Sequence, residues 1–183
     1  MIAKKKLSKK KILMVIASKN FRDEEYFIPF EILQKEGAEI TTASSVRGEV
    51  VGIEGGEARS ILILKDVVVK DYDAVIFVGG GGATEYFDDN EAHRIIGEFF
   101  GKNKIVAAIC IAPVILARAG ILRGKNATVW SSVLDKNAIK ELKNCGCNVS
   151  PERVVKDGNI ITADGPAVSE EFAKAVAMAL TEK

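Results

Sequence analysis

Cys110 is the residue in this chain with the clearest capacity for chemistry. It stands in Ala107-Ala108-Ile109-Cys110-Ile111-Ala112-Pro113, at the seam between an apolar strand pattern and a helix pattern. A sharp strand-to-helix turn holds its central side chain out from the sheet edge, which is the mechanical principle of a nucleophile elbow. The free N–H groups and dipole at the start of the following helix favour a thiolate. Pro113 suits that place, because it forfeits only an N–H that has no helical partner. Spacing alone is equally compatible with an inert cysteine packed as a small hydrophobe.

Glu25 is the second candidate, on a helix just past the first strand. Pro29 follows four residues later, so its ring crowds the carbonyl of residue 25 and removes one helical hydrogen bond. A local distortion around Glu25 is expected. A carboxyl aimed at the strand ends can donate a hydrogen bond when protonated or act as a base when ionised. If Cys110 is a thiolate, a second charge beside it is disfavoured, and Glu25 should stay protonated and donate to the sulfur. Against this, Asp23-Glu24-Glu25 reads more simply as a solvated first turn, and from these residues alone that reading leads.

Gly79-Gly80-Gly81-Gly82 offers exposed backbone N–H groups that could hold an oxyanion. It matches neither a phosphate-binding loop nor a dinucleotide fingerprint. His93, the only histidine, falls on a helix away from the strand ends and reads as a surface residue. A Cys-His pair within one chain is therefore not expected. Cys145-Gly146-Cys147 lacks the further ligands of a closed zinc site and reads as two reduced thiols. No metal and no organic cofactor is expected.

These residues can act together only if the fold brings them to one place. Strand patterns over 11–17, 38–43, 74–78, 104–109 and 127–130 alternate with helix patterns over 22–36, 90–101, 112–119 and 135–144. Residues 47–69 read as short strands or a hairpin. Asp157-Gly158 signals a hairpin between strands over 153–156 and 159–163, and Val168, Phe172, Val176 and Leu180 form one stripe of a last helix. Strands separated by helices imply parallel pairing with right-handed crossovers. The expected fold is a doubly wound α/β sheet with helices on both faces. Its ligands sit beyond the carboxyl ends of the strands, so residues 18–25, 79–84, 110–113 and 164–166 should converge.

Composition limits the classes of function. The 183 residues are 48% hydrophobic and 28% charged, which fits one soluble domain with a sizeable core. No apolar run approaches the ~18–20 residues of a membrane span. The formal net charge of +1 gives no general nucleic-acid signal. Six lysines crowd the segment from Lys4 to Lys11, leaving a net acidic body. We read 1–10 as a basic, solvated tail with a weak capacity for nucleic acid, and 11–183 as a single domain. The absence of a secretory apolar core and the odd cysteine count imply the cytoplasm.

The chain resembles the DJ-1/PfpI family from about residue 12 to residue 180. Phe21-Arg22-Asp23-Glu24-Glu25 with its trailing Pro29 is similar to the family's Phe-Glu-Asp-x-Glu segment, and Glu25 falls on the active-site glutamate. Val78-Gly79-Gly80 resembles the Pro-Gly-Gly after the third core strand, and Ala108-Ile109-Cys110 the nucleophile elbow. Residues 120–125 (Gly-Ile-Leu-Arg-Gly-Lys) and 157–162 (Asp-Gly-Asn-Ile-Ile-Thr) match two further stretches. The resemblance implies a flavodoxin-like fold, a homodimer, Cys110 as nucleophile with Glu25 as its proton partner, and the N–H groups of Gly80 and Ile111 as anion donors. It places Gly79, Trp130, Asp164 and Pro166 around the pocket. Ile111 stands where the protease-like branch has histidine, so the chain is nearer the DJ-1-like branch. Trp130 stands for tyrosine or histidine, and Asp164 for arginine. The expected partner is a small electrophile, such as a 2-oxoaldehyde in glyoxalase- or deglycase-like chemistry, or an oxidant. The alternatives are a redox-sensing or chaperone-like stress protein without turnover, and a cysteine peptidase or amidase.

Overall fold

Buried strands and amphipathic helices alternate along the chain, and the computed structural model, which describes residues 6–182, stacks them into three layers. β1 (Lys11–Val15) leads through β2 (Lys19–Phe21) into α1 (Asp23–Lys35). β3 (Glu39–Ser44), the hairpin of β4 (Gly48–Gly52) and β5 (Glu57–Ser60), and β6 (Leu62–Ile63) follow. Then come β7 (Ala74–Phe77), α2 (Asn90–Gly101), β8 (Ile105–Ile109) and α3 (Pro113–Arg118). β9 (Asn126–Ala127), α4 (Asn137–Asn144) and β10 (Asn148–Val149) form a small side unit, and β11 (Val154–Asp157), β12 (Ile160–Ala163) and α5 (Ser169–Thr181) close the chain.

The main sheet runs β11-β12-β8-β7-β1-β3-β6. Every pair in it is parallel except the β11–β12 hairpin. Numbered by appearance, its five long parallel strands follow the order 2-1-3-4-5 of a flavodoxin-like fold. β7, β8 and β12 are buried at every residue, as are the last four positions of β1. Continuous apolar runs are what a sheet covered on both faces requires. The crossovers β1→β3 and β7→β8 move in opposite directions along the sheet, so right-handed connections put α1 and α2 on opposite faces. α5 packs on α1, and α3 on α2. The strand order reverses between β1 and β7, which opens a crevice at their carboxyl ends.

The structure departs from the sequence expectations at four places. A second sheet, β2-β4-β5, forms beside the carboxyl end of β1. The strand expected over 127–130 ends at Ala127, because the Thr128 and Trp130 N–H groups go to Thr162 Oγ1 and the Cys110 carbonyl. The helix expected from residue 135 starts at Asn137, since Ser132 Oγ takes the N–H groups of Leu134 and Asp135 into a turn. α1 continues through Pro29 without a break.

Residues 1–5 of the basic segment lie outside the described residues, but Leu7 is fully buried and donates its N–H to the Glu36 carbonyl at 2.9 Å. The segment is therefore anchored to the end of α1 from Leu7 onward. Among the described residues, no helix is long and apolar enough to cross a membrane.

Candidate active site

Cys110 sits one residue beyond β8 with φ of +64°. That left-handed conformation is uncommon for a residue with a Cβ and costs on the order of 1 kcal/mol. Two hydrogen bonds hold it: its N–H donates to the Ala163 carbonyl at 2.9 Å, and its carbonyl accepts from the Trp130 N–H at 2.8 Å. The turn brings the thiol near the backbone N–H groups of Gly80 and Ile111, which favour its ionised form.

Gly79, just past β7, joins the two candidate residues. Its N–H donates to Glu25 Oε2 at 3.1 Å. A Cβ on Gly79 would lie 2.6 Å from Cys110 Cβ, 2.6 Å from Glu25 Oε2 and 2.7 Å from the Ile109 carbonyl oxygen. Only a residue without a side chain leaves room there for thiol and carboxylate to approach. Gly80, at φ +95°, lies against the backbone of Asn20, Phe21 and Arg22, which any side chain would strike.

Glu25 is wholly buried, so the solvated-turn reading does not hold. Burial pushes its carboxyl up to about 7, against the opposing effects of Cys110, the Gly79 N–H and the Arg22 charge. Its Oε1 has no partner in ordinary hydrogen-bond geometry, and among the groups that oppose burial the Cys110 thiol acts most strongly. Burial and then the Glu25 charge push the Cys110 thiol up to about 12, against the donors Gly80 and Ile111. This reverses the expected thiolate: α3 is only six residues long, and desolvation outweighs its terminus. The two groups titrate as one unit that keeps a proton and at most one negative charge near neutrality.

The pair lies at the base of a cleft of about 310 Å³. Of the residues singled out from the sequence, Glu25, Gly80, Cys110, Ile111, Trp130 and Pro166 line it, with Gly79 just beneath. Asp164 does not belong to the lining. Its carboxylate is held by Arg153, through Nε at 3.0 Å and Nη2 at 3.1 Å. His93 Nε2 lies 2.9 Å from the Phe87 carbonyl, and Cys147 donates to the Lys125 carbonyl; neither lines the cleft. Among the described residues, no cluster of three His, Cys, Asp or Glu is placed to hold a metal.

Two lining residues were not singled out from the sequence, Arg22 and Ile53, and Gly81 entered only as part of the glycine run. Ile53 arrives on the turn between β4 and β5, which Asp23 fixes by accepting the N–H groups of Glu54 at 2.9 Å and Gly56 at 2.7 Å. Behind Ile111 and Trp130 lies a second cavity of about 250 Å³, which shares those two side chains with the cleft.

Fold and site together define a flavodoxin-like protein with a cysteine on a strained elbow and a buried acid against it. Residues 10–179 match the model of the DJ-1/PfpI family, and the chain belongs to that family. An uncharacterized protein of Methanocaldococcus jannaschii is 43% identical over 171 residues, covering 93% of this chain and 82% of that protein. A protein of Pyrococcus horikoshii named a deglycase is 32% identical over 157 residues, covering 86% of this chain and 91% of its own. The solved ThiJ/PfpI domain protein from Brachyspira murdochii superposes with a TM-score of 0.90 at 35% identity, covering 94% of this chain and 97% of that one.

Proposed function

We propose that the protein is a cofactor-free enzyme of small electrophiles, with glyoxalase- or deglycase-like action on 2-oxoaldehydes or their adducts. The observation that carries this reading is the buried Cys110–Glu25 pair gathered around Gly79. Proton transfer within the pair interconverts a resting thiol–carboxylate and a reactive thiolate–carboxylic acid without any change in total charge. The thiolate adds to the aldehyde carbon, and the Glu25 proton passes to the new alkoxide, giving a hemithioacetal. Glu25, now a carboxylate, takes the C1 proton to leave an enediolate and returns it to C2, while the C1 hydroxyl proton passes to the C2 oxygen. The product is a 2-hydroxyacyl thioester, which water hydrolyses to the 2-hydroxy acid and free thiol. The N–H groups of Gly80 and Ile111 are placed to stabilise the charge that moves from sulfur to oxygen.

The chain's one histidine is outside the cleft, which argues against a Cys-His peptidase. A second reading, oxidation of Cys110 to sulfinate without turnover, is favoured by the unpartnered Glu25 Oε1, which when protonated can donate to a sulfinate oxygen. A homodimer belongs to the proposal, and the exposed Val51 and Ile53 on the β4–β5 hairpin support an apolar contact face.

The test is lactate formation from methylglyoxal by wild type, Cys110→Ser and Glu25→Gln. Wild type should turn over and both variants should lose at least about a hundredfold, as expected for removing a nucleophile or a proton shuttle. Absence of turnover in wild type, with clean conversion of Cys110 to sulfinate by peroxide, would replace the first reading by the second.

A further inference from the structure

Arg22 is the one cationic side chain that lines the cleft among the described residues. Apart from the reacting pair, the walls are apolar side chains and glycine backbone: Ile53, Ile111, Trp130, Pro166, Gly80 and Gly81. The guanidinium is held in place from outside. Nε pairs with Glu24 Oε2 at 2.9 Å, and Nη2 reaches Glu24 Oε1 at 3.3 Å and Glu54 Oε1 at 3.5 Å. Nη1 takes part in none of these contacts. The backbone is fixed as well, with the Arg22 N–H donating to the Gly79 carbonyl at 3.0 Å.

We infer that Arg22 is a specificity-determining residue that selects electrophiles carrying a carboxylate a few atoms from the reactive carbonyl. An apolar slot with a thiol at its base and one oriented cation on its wall matches a ligand with those two ends. A planar guanidinium is suited to a carboxylate, and its pairing with Glu24 and Glu54 fixes its orientation before a ligand arrives. Those partners leave it available. Glu54 is more than half exposed, so its pair with Nη2 is screened, whereas Nε and Glu24 Oε2 are buried against each other and fix the guanidinium. A 2-oxoaldehyde such as 4,5-dioxopentanoate has this form, and addition of water with internal proton transfer converts it to 2-hydroxyglutarate.

The substrate class rests on the function proposed above, whereas the selection of anions at the thiol does not. The experiment therefore uses two alkylating agents of nearly equal size, iodoacetate and iodoacetamide, with modification of Cys110 followed by mass spectrometry. The readout is the ratio of their rates in wild type, Arg22→Lys, Arg22→Gln and Arg22→Glu. Any change in thiol ionisation alters both rates together and cancels in the ratio. The iodoacetate preference should fall about five- to tenfold in Arg22→Gln, fall further in Arg22→Glu and largely survive in Arg22→Lys. In wild type it should also decline as salt is raised. Equal ratios in wild type and Arg22→Gln, or a salt-independent wild-type ratio, would overturn the inference whether or not the protein turns over any substrate. With turnover established, kcat/KM for 4,5-dioxopentanoate relative to methylglyoxal should follow the same order. A normal alkylation pattern without turnover of either aldehyde would reject the proposed function and leave the anion selectivity standing.

Discussion

Replacing Glu25 by glutamine removes the charge beside Cys110 while preserving a side chain of the same shape. Cys110 Cβ and Glu25 Oε2 each lie 2.6 Å from where a Gly79 Cβ would be, so they are within about 5 Å of one another. At that distance and an effective dielectric of about 20, two unit charges repel by roughly 3 kcal/mol. Such an energy corresponds to about two pH units in the titration of the thiol. Glutamine also keeps an N–H that can donate to the sulfur, which favours the thiolate further. The thiol, pushed up to about 12 in wild type, should therefore titrate at least one unit lower in Glu25→Gln, a tenfold gain in thiolate at neutral pH. Glu25→Ala should move the same way by less, because it loses the donor. The assay is the pH dependence of iodoacetamide reaction at Cys110, measured by mass spectrometry between pH 6 and 10. Turnover in Glu25→Gln should nevertheless fall, since an amide cannot shuttle a proton. Superimposable alkylation profiles in all three proteins, or slower alkylation of Glu25→Gln than of wild type across this range, would refute the coupling.

Three further outcomes follow from the same geometry. Glu25 rises from an ordinary 4.5 to about 7 on folding, so its contribution to stability is fully present below pH 4.5 and is lost as the pH rises through 7; Glu25→Gln should match wild type in urea denaturation at pH 4.5 and exceed it by about 2–3 kcal/mol at pH 8, and no gain at pH 8 would contradict a buried carboxylate. Asp23→Ala removes two charge-assisted hydrogen bonds to the β4–β5 turn and should cost about 2–3 kcal/mol, with faster hydrogen exchange at the Glu54 and Gly56 amides; unchanged exchange would mean the turn is held by other contacts. His93→Ala should leave turnover within about twofold, and a hundredfold loss in steady-state rate would show that this side chain reaches a site in the assembled protein.

The sheet was legible because its strands are long uninterrupted apolar runs, and the elbow because Cys110 follows such a run directly. The gathering of Glu25, Gly79 and Cys110 at one edge followed from the doubly wound order. What could not be read depends on distant packing. Ile53 reaches the cleft through the pairing of β4 with β2, which joins residues about thirty positions apart through an irregular register. Arg22 gives no local signal beyond its place before α1. The pairing of Asp164 was legible only with the strand register: β11–β12 pairs Val154 with Ala163, which sets Arg153 beside Asp164. The upward push of burial on the thiol was not legible either, because sequence shows where a helix starts but not how completely the thiol in front of it is desolvated.

The wall formed by Trp130 and Ile111 has a consequence for how this site can diversify. Gly79 tolerates nothing larger, since thiol, carboxylate and strand backbone already crowd the place of its Cβ. Trp130 and Ile111 contribute their backbones to the elbow, but their side chains only partition space, with a cavity of about 250 Å³ on the far side. Trimming either side chain should enlarge the space beside the pair, since both cavities share these two residues. On the proposed function, the reacting pair is thus locked at Gly79 while the space beside it is adjustable at Trp130 and Ile111, so single substitutions there should admit larger substrates.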